Sequence, residues 1–200
     1  MDNNFGFDRS EYRSDVNFGD YYWFNSGFSK AELQEIEEMT SNLEWETAAT
    51  GQDGTVKVSE YRKSKIKWCP QNNNWDWVYS RLHDMLVEAN NVMWKFDITH
   101  MRETIQYTEY YARNSGGYEW HMDCGIGVQS QRKLSVTVQL SADDEYDGGN
   151  LEFNLGKKLS APRGQGNVVI FPSFYLHRVT PVMRGTRKSF VLWVGGEPYK

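Results

Sequence analysis

Cysteine and proline are scarce in this chain, with two and five copies in 200 residues. Two cysteines, Cys69 and Cys124, are too few for the disulfide framework that holds small secreted domains together, so they read as free thiols in a reducing compartment. Long apolar runs are missing as well. No stretch approaches the roughly 18 residues that a membrane-crossing helix requires. The opening segment, MDNNFGFDRSEYRSD, is polar and acidic and has no apolar stretch of the secretory kind. The expected address is the cytoplasm, with no membrane partner. A surplus of positive charge is also absent. The net charge of −5 and the pI of about 5.4 argue against a general nucleic-acid binder, which needs a basic footprint to neutralise phosphates.

Aromatic side chains are plentiful: 8 Trp, 12 Tyr and 10 Phe. With a mean hydropathy of −0.71, the core must lean on these large rings. The length suits one domain, expected over residues 19–200, preceded by a short arm over 1–18 that mixes Asn, Asp, Gly and Phe. The one local basic cluster is Lys57, Arg62, Lys63, Lys65 and Lys67. It reads as the solvated face of a strand, with a substrate-docking edge as the other reading.

Residues 20–24 read as a first strand. Ser29 and Glu32 form a capping box ahead of Leu33, Ile36, Met39 and Leu43, which predicts an amphipathic helix over 30–42. A polar strand, expected at an edge, follows over 56–67. The turn Pro70–Asn74 leads into a second helix over 75–93, where Val78, Leu82, Met85, Leu86, Ala89, Val92 and Met93 keep helical spacing. From 102 onward the runs are short and strand-like: 103–111, 119–123, 133–140, 151–155, 167–171, 176–182 and 187–194. Gly-, Pro- and Asp-rich turns separate them. Helices followed by many short antiparallel strands predict a mainly β fold of the α+β class. The expected form is a double-stranded β-helix, a cupin-like jelly roll spanning about 102–196, with the two helices packed on one sheet. A sandwich of another topology fits the same pattern.

The chemistry concentrates in His121-x-Asp123, His177, and Arg187 followed by Ser189. Two neutral imidazoles and one carboxylate suit a borderline divalent metal, and three ligands on one side leave positions open for a chelating co-substrate and O2. Strand alternation points His121 and Asp123 the same way. Alone, His-x-Asp is equally a hydrogen-bonded surface pair, and His177 alone a satisfied core histidine. Their order, the apolar strand Val168–Pro172 before His177, and the cation ten residues further on fit one site. Arg187, expected at the start of a returning hairpin strand, would share a face with Ser189, Val191 and Trp193, and Lys188 would point away. A planar guanidinium holds a carboxylate through two hydrogen bonds, and a Ser hydroxyl adds a third. The other reading of Arg187 is a salt bridge at a hairpin end.

Five segments, in order, resemble the Fe(II)/2-oxoglutarate-dependent dioxygenase superfamily, and within it the prolyl 4-hydroxylase-like branch with the bacterial and phage PKHD-type hydroxylases. They are Tyr110 through Gly117-Tyr-Glu-Trp-His-Met-Asp123, Leu134–Leu140, Tyr146–Phe153, Gly166–Pro172 and His177–Arg187. The resemblance implies that His121, Asp123 and His177 bind Fe(II). It implies that Arg187, with Ser189, binds the distal carboxylate of 2-oxoglutarate, and that Tyr110 hydrogen-bonds the same co-substrate, with Tyr107 and Tyr111 as competing candidates. Gln106 and Gln139 are further pocket candidates. The implied reaction hydroxylates an unactivated C–H bond of a prolyl or other amino-acid residue in a peptide, protein or free amino acid. It consumes O2, releases succinate and CO2, and draws on ascorbate as a possible reductant. Asp123 favours hydroxylation, because related halogenases carry a small residue there. Two other classes are weighed. An AlkB-like nucleic-acid demethylase would carry a second arginine where Trp193 stands. A non-catalytic cupin-like binding module would have no need of the full ligand set.

Overall fold

The computed structural model describes residues 21–47 and 61–197. The expected arm over 1–18 and the first part of the strand expected over 56–67 lie outside them. Helix α1 (Lys30–Ser41) starts at the capping box: Ser29 Oγ accepts from the Glu32 amide at 3.3 Å, and Glu32 Oε2 accepts from the Ser29 amide at 2.8 Å. Helix α2 (Asp76–Met93) has no side-chain cap and grows out of the Pro70–Asn74 turn, where the Trp75 amide donates to Asn72 O at 2.8 Å.

Twelve strands are described: β1 (Tyr22–Phe24), β2 (Glu46–Thr47), β3 (Lys65–Cys69), β4 (Ile105–Tyr111), β5 (Tyr118–His121), β6 (Arg132–Gln139), β7 (Tyr146–Gly148), β8 (Leu151–Asn154), β9 (Lys158–Ser160), β10 (Val168–Pro172), β11 (His177–Val179) and β12 (Val182–Gly195). They form two antiparallel sheets. The larger runs β1-β10-β6-β12-β4-β3-β2, with β7 also paired to β12; the smaller runs β5-β11-β8-β9. The fold is mainly β with two helices, as the strand pattern predicts.

Period-2 alternation divides the larger sheet between two tasks. Leu134, Val136 and Val138 of β6, Val168 and Ile170 of β10, and Phe190, Leu192 and Val194 of β12 join Leu33 and Ile36 of α1 and Val78, Leu82, Leu86 and Ala89 of α2 in one apolar cluster. The alternate residues of the same strands face away from that cluster. Some of them, Val169 and Phe171, join Leu151 and Phe153 of the smaller sheet in a second cluster. Others are polar: Ser135, Thr137, Arg187 and Ser189, joined by Gln106 of β4, are all buried. Buried polar groups are costly without partners, so this face points to a site.

Four sequence expectations need correcting. The 56–67 strand is displaced: β3 occupies Lys65–Cys69, while Tyr61–Lys63 runs beside β5, with Lys63 N donating to Gly117 O at 2.9 Å and Glu119 N donating to Tyr61 O at 2.8 Å. Lys67 is not on a solvated face. It is buried, its Nζ donates to Thr40 O at 2.7 Å, and it lies 4.4 Å over the Trp45 ring. The run over 119–123 ends as a strand at His121, because the Asp123 amide turns to Ser173 O at 2.8 Å. The run over 176–182 breaks at Thr180 and Pro181, and β12 starts at Val182, earlier than the expected start at Arg187. Its first residues pair with β7, an arrangement that needs Gly185: φ there is +70°, and a Cβ would lie 1.9 Å from Glu145 O.

Candidate active site

His121 ends β5 and His177 begins β11, and the two are register partners in the smaller sheet. Asp123 comes from the turn just beyond β5 and is 8% exposed. The carboxylate lies between the imidazoles, with Oδ1 3.6 Å from His121 Nε2 and Oδ2 3.5 Å from His177 Nε2. The three candidate ligand atoms lie within 4.8 Å of one another. Each histidine uses its other ring nitrogen in the same way. His121 Nδ1 donates to Glu119 O at 2.7 Å, and His177 Nδ1 donates to Tyr175 O at 2.8 Å. A carbonyl accepts only, so the proton sits on Nδ1 and Nε2 keeps its lone pair toward the cleft. Burial and then the neighbouring His177 lower the His121 pKa to about 4, which keeps that imidazole neutral at physiological pH. Burial pushes Asp123 upward, but His177, His121 and the Ser135 hydroxyl outweigh it and hold the carboxyl below its ordinary range. The donor set fits a divalent metal held on one side.

Arg187 and Ser189 project from β12 into the same cleft, and Tyr110 from the adjacent β4, across the Arg187–Tyr110 register pair. Arg187 is 3% exposed. Its Nη1 donates to Ser189 Oγ at 3.3 Å and its guanidinium lies 5.6 Å from the Tyr110 ring centre, but among the described residues no carboxylate pairs with it. A buried guanidinium without a counter-charge is a place for an anion. The hairpin-end salt bridge is therefore not formed. Lys188 faces the opposite way, paired with Glu37 of α1. Tyr107 and Tyr111 both donate to Glu109, and Tyr107 belongs to the helix-side core, so only Tyr110 of the three lines the cleft. Gln106 lines it too. Gln139 lines a neighbouring cavity and donates to Tyr146 Oη at 2.9 Å.

Several site residues carried no usable signal in the sequence. Ser135 Oγ donates to Asp123 Oδ2 at 2.7 Å and lies 2.9 Å from Ser173 Oγ. Arg132 Nη1 donates to Asp123 O at 3.0 Å while its guanidinium stacks 3.9 Å from the Trp193 ring centre. Tyr118 stacks on His121 at 3.5 Å, and Phe171 meets His177 edge-on at 4.8 Å. Ser135 shares strand parity with Thr137 and Gln139, and that was the one available hint. Its partner Asp123 lies twelve residues away, across a turn.

The sequence profile of the 2OG-Fe(II) oxygenase superfamily matches residues 105–195, which include every cleft residue named above. The chain is similar to a PKHD-type hydroxylase of Teredinibacter turnerae, 40% identical over 88 residues, 41% of this chain and 39% of that protein. A PKHD-type hydroxylase of Acidovorax ebreus is 29% identical over 174 residues, 83% of this chain and 74% of its own. The alignment to the first of these thus spans well under half of the relative. In fold, the chain is similar to a Trichoplax adhaerens prolyl hydroxylase solved with a hypoxia inducible factor oxygen degradation domain peptide fragment: TM-score 0.73, 17% identity, 90% of this chain and 85% of that one. It is also similar in fold to a Pseudomonas putida prolyl-4-hydroxylase: TM-score 0.67, 18% identity, 92% of this chain and 96% of that one.

Proposed function

We propose, because residues 105–195 match the sequence profile of the 2OG-Fe(II) oxygenase superfamily, that this protein is an Fe(II)- and 2-oxoglutarate-dependent hydroxylase of the PKHD type. Its substrate in this reading is a prolyl or other amino-acid residue in a peptide or protein, and succinate and CO2 leave with the hydroxylated product. The observation that carries the reading is the pairing of two features in one cleft: three convergent ligand atoms and a buried guanidinium with no carboxylate of its own. The name of the PKHD-type relatives and the peptide bound to the Trichoplax enzyme support it.

His121, Asp123 and His177 are the residues that would hold Fe(II). Bound iron with 2-oxoglutarate and O2 supplies the oxidising power for an unactivated C–H bond. The chain does the rest. The Nδ1–carbonyl bonds fix the orientation of both imidazoles so that Nε2 is the nitrogen offered to the metal, and Ser135 orients Asp123. Arg187, with Ser189 and Tyr110, binds the distal carboxylate of the co-substrate and so sets its direction. Leu151, Phe171, Val179 and Val191 line the cleft and exclude water from it. The two sheets are then the walls of a double-stranded β-helix with both helices on the larger sheet, in a single domain over 19–200. The free thiols Cys69 and Cys124 suit a reducing cytoplasm.

The test is aerobic incubation with Fe(II), 2-oxoglutarate and ascorbate against peptide and amino-acid libraries. Succinate formation coupled to a product heavier by one oxygen atom is expected. Folded, iron-loaded protein that yields neither would point to a binding module.

A further inference from the structure

Arg62 lines the same cleft as Arg187 and has no part in the reading above. Its backbone belongs to the smaller sheet's edge, bridged to Tyr118. Its side chain crosses to the larger sheet, where Nη2 donates to Gln106 Oε1 of β4 at 2.5 Å. Nε donates to Ser64 Oγ at 3.0 Å, and the guanidinium lies 5.1 Å from the ring centre of Tyr118, the ring that stacks on His121. Nη1 has no partner, and no carboxylate pairs with Arg62, among the described residues. A half-buried cation held by three contacts and left without a counter-charge is pre-organised for an anion.

The charges in the cleft favour the substrate as the source of that anion. Among the described residues Asp123 is the only carboxylate that lines the cleft, and it faces the two histidines. 2-Oxoglutarate has two carboxylates, one for the metal and one for Arg187. Arg62 is left without a match among the described residues or on the co-substrate. Resting on the hydroxylase reading, we propose that Arg62 is a specificity-determining residue that binds a carboxylate of the substrate. That carboxylate is either the side chain of an acidic residue beside the hydroxylated one or the free C-terminal group of a short peptide.

The experiment uses a short-peptide library in matched sets: an acidic residue, its neutral amide counterpart, and the neutral peptide with a free or an amidated C-terminus. Hydroxylation is followed by mass spectrometry with wild type, Arg62→Gln and Arg62→Lys. 2-Oxoglutarate affinity is read separately from the visible charge-transfer absorption of the anaerobic Fe(II) complex. Wild type is expected to favour carboxylate-bearing members by about tenfold or more in kcat/KM. Arg62→Gln should remove the preference by raising KM for those members alone. Arg62→Lys should restore part of it, and 2-oxoglutarate affinity should hold in both variants. The side-chain and C-terminal arms identify which carboxylate is read. Equal use of charged and neutral peptides by wild type, an unchanged preference in Arg62→Gln, or no turnover of any member despite a normal absorption would each overturn the proposal. So would loss of 2-oxoglutarate binding in Arg62→Gln, which would assign Arg62 to the co-substrate. Absence of the absorption in wild type would instead bring down the hydroxylase reading, and this proposal with it.

Discussion

Asp123 presents one carboxylate oxygen to each imidazole, and Oδ2 also takes the Ser135 hydroxyl proton. Ser135→Ala leaves the ligands in place but frees the carboxylate to rotate. Metal affinity, measured by titration into metal-free protein, is expected to fall by about 10–100-fold, the usual effect of losing such a supporting bond. At the other end of the cleft, Gly149 has φ of +61°, and a Cβ there would lie 2.9 Å from Arg187 Cδ. Gly149→Ala should therefore displace Arg187 and weaken 2-oxoglutarate binding in the same direction as Arg187→Ala. Loss of a charge-assisted contact of that kind costs roughly 1.5–3 kcal/mol. Unchanged co-substrate affinity in both variants would move the carboxylate site elsewhere. At this scale the sequence was legible where residue type and spacing name a chemistry, as in His-x-Asp and Arg-x-Ser. It was silent on Ser135 and Tyr118, whose roles arise only when distant strands meet, and it offered Arg62 only as one member of a basic cluster that read first as a solvated strand face.

Alternation along β12 placed Arg187, Ser189, Val191 and Trp193 on one face and Lys188 on the other, and the structure has them so. The same logic reached the right result for Asp123 by the wrong route. It assumed a strand through residue 123, whereas β5 stops at His121 and a turn tied to Ser173 delivers the carboxylate. The strands that went unread, β2, β7 and β9, have two or three residues each, too few for any period to register. Lys67 was misread because a lysine in a polar run looks solvated; the Thr40 carbonyl and the Trp45 ring that bury it come from elsewhere in the chain. Helix α1 was legible from its cap outward. Ser29→Ala removes one bond of the capping box and should lower stability by about 1 kcal/mol in urea unfolding, with metal affinity unchanged, since the helix lies on the far side of the larger sheet from the cleft.

For the molecule as a whole, the cost of burying His121 as a neutral imidazole appears as a pH dependence. An unfolded His121 takes up a proton near pH 6.5, while the folded one resists until about pH 4. Its contribution to stability is therefore fully present above pH 6.5 and is lost as pH falls toward 4. Metal-free protein should grow easier to unfold across that window, and His121→Gln should flatten the slope. An equal slope in the variant would assign the dependence to other groups.

The central claim is that one cleft holds Fe(II) and 2-oxoglutarate together. Anaerobic titration of the Fe(II)-loaded protein with 2-oxoglutarate tests it most directly, with Asp123→Ala as the control. The account predicts a visible charge-transfer absorption that saturates with the co-substrate in wild type and is missing in the variant. Folded, iron-loaded wild type that develops no absorption would contradict it.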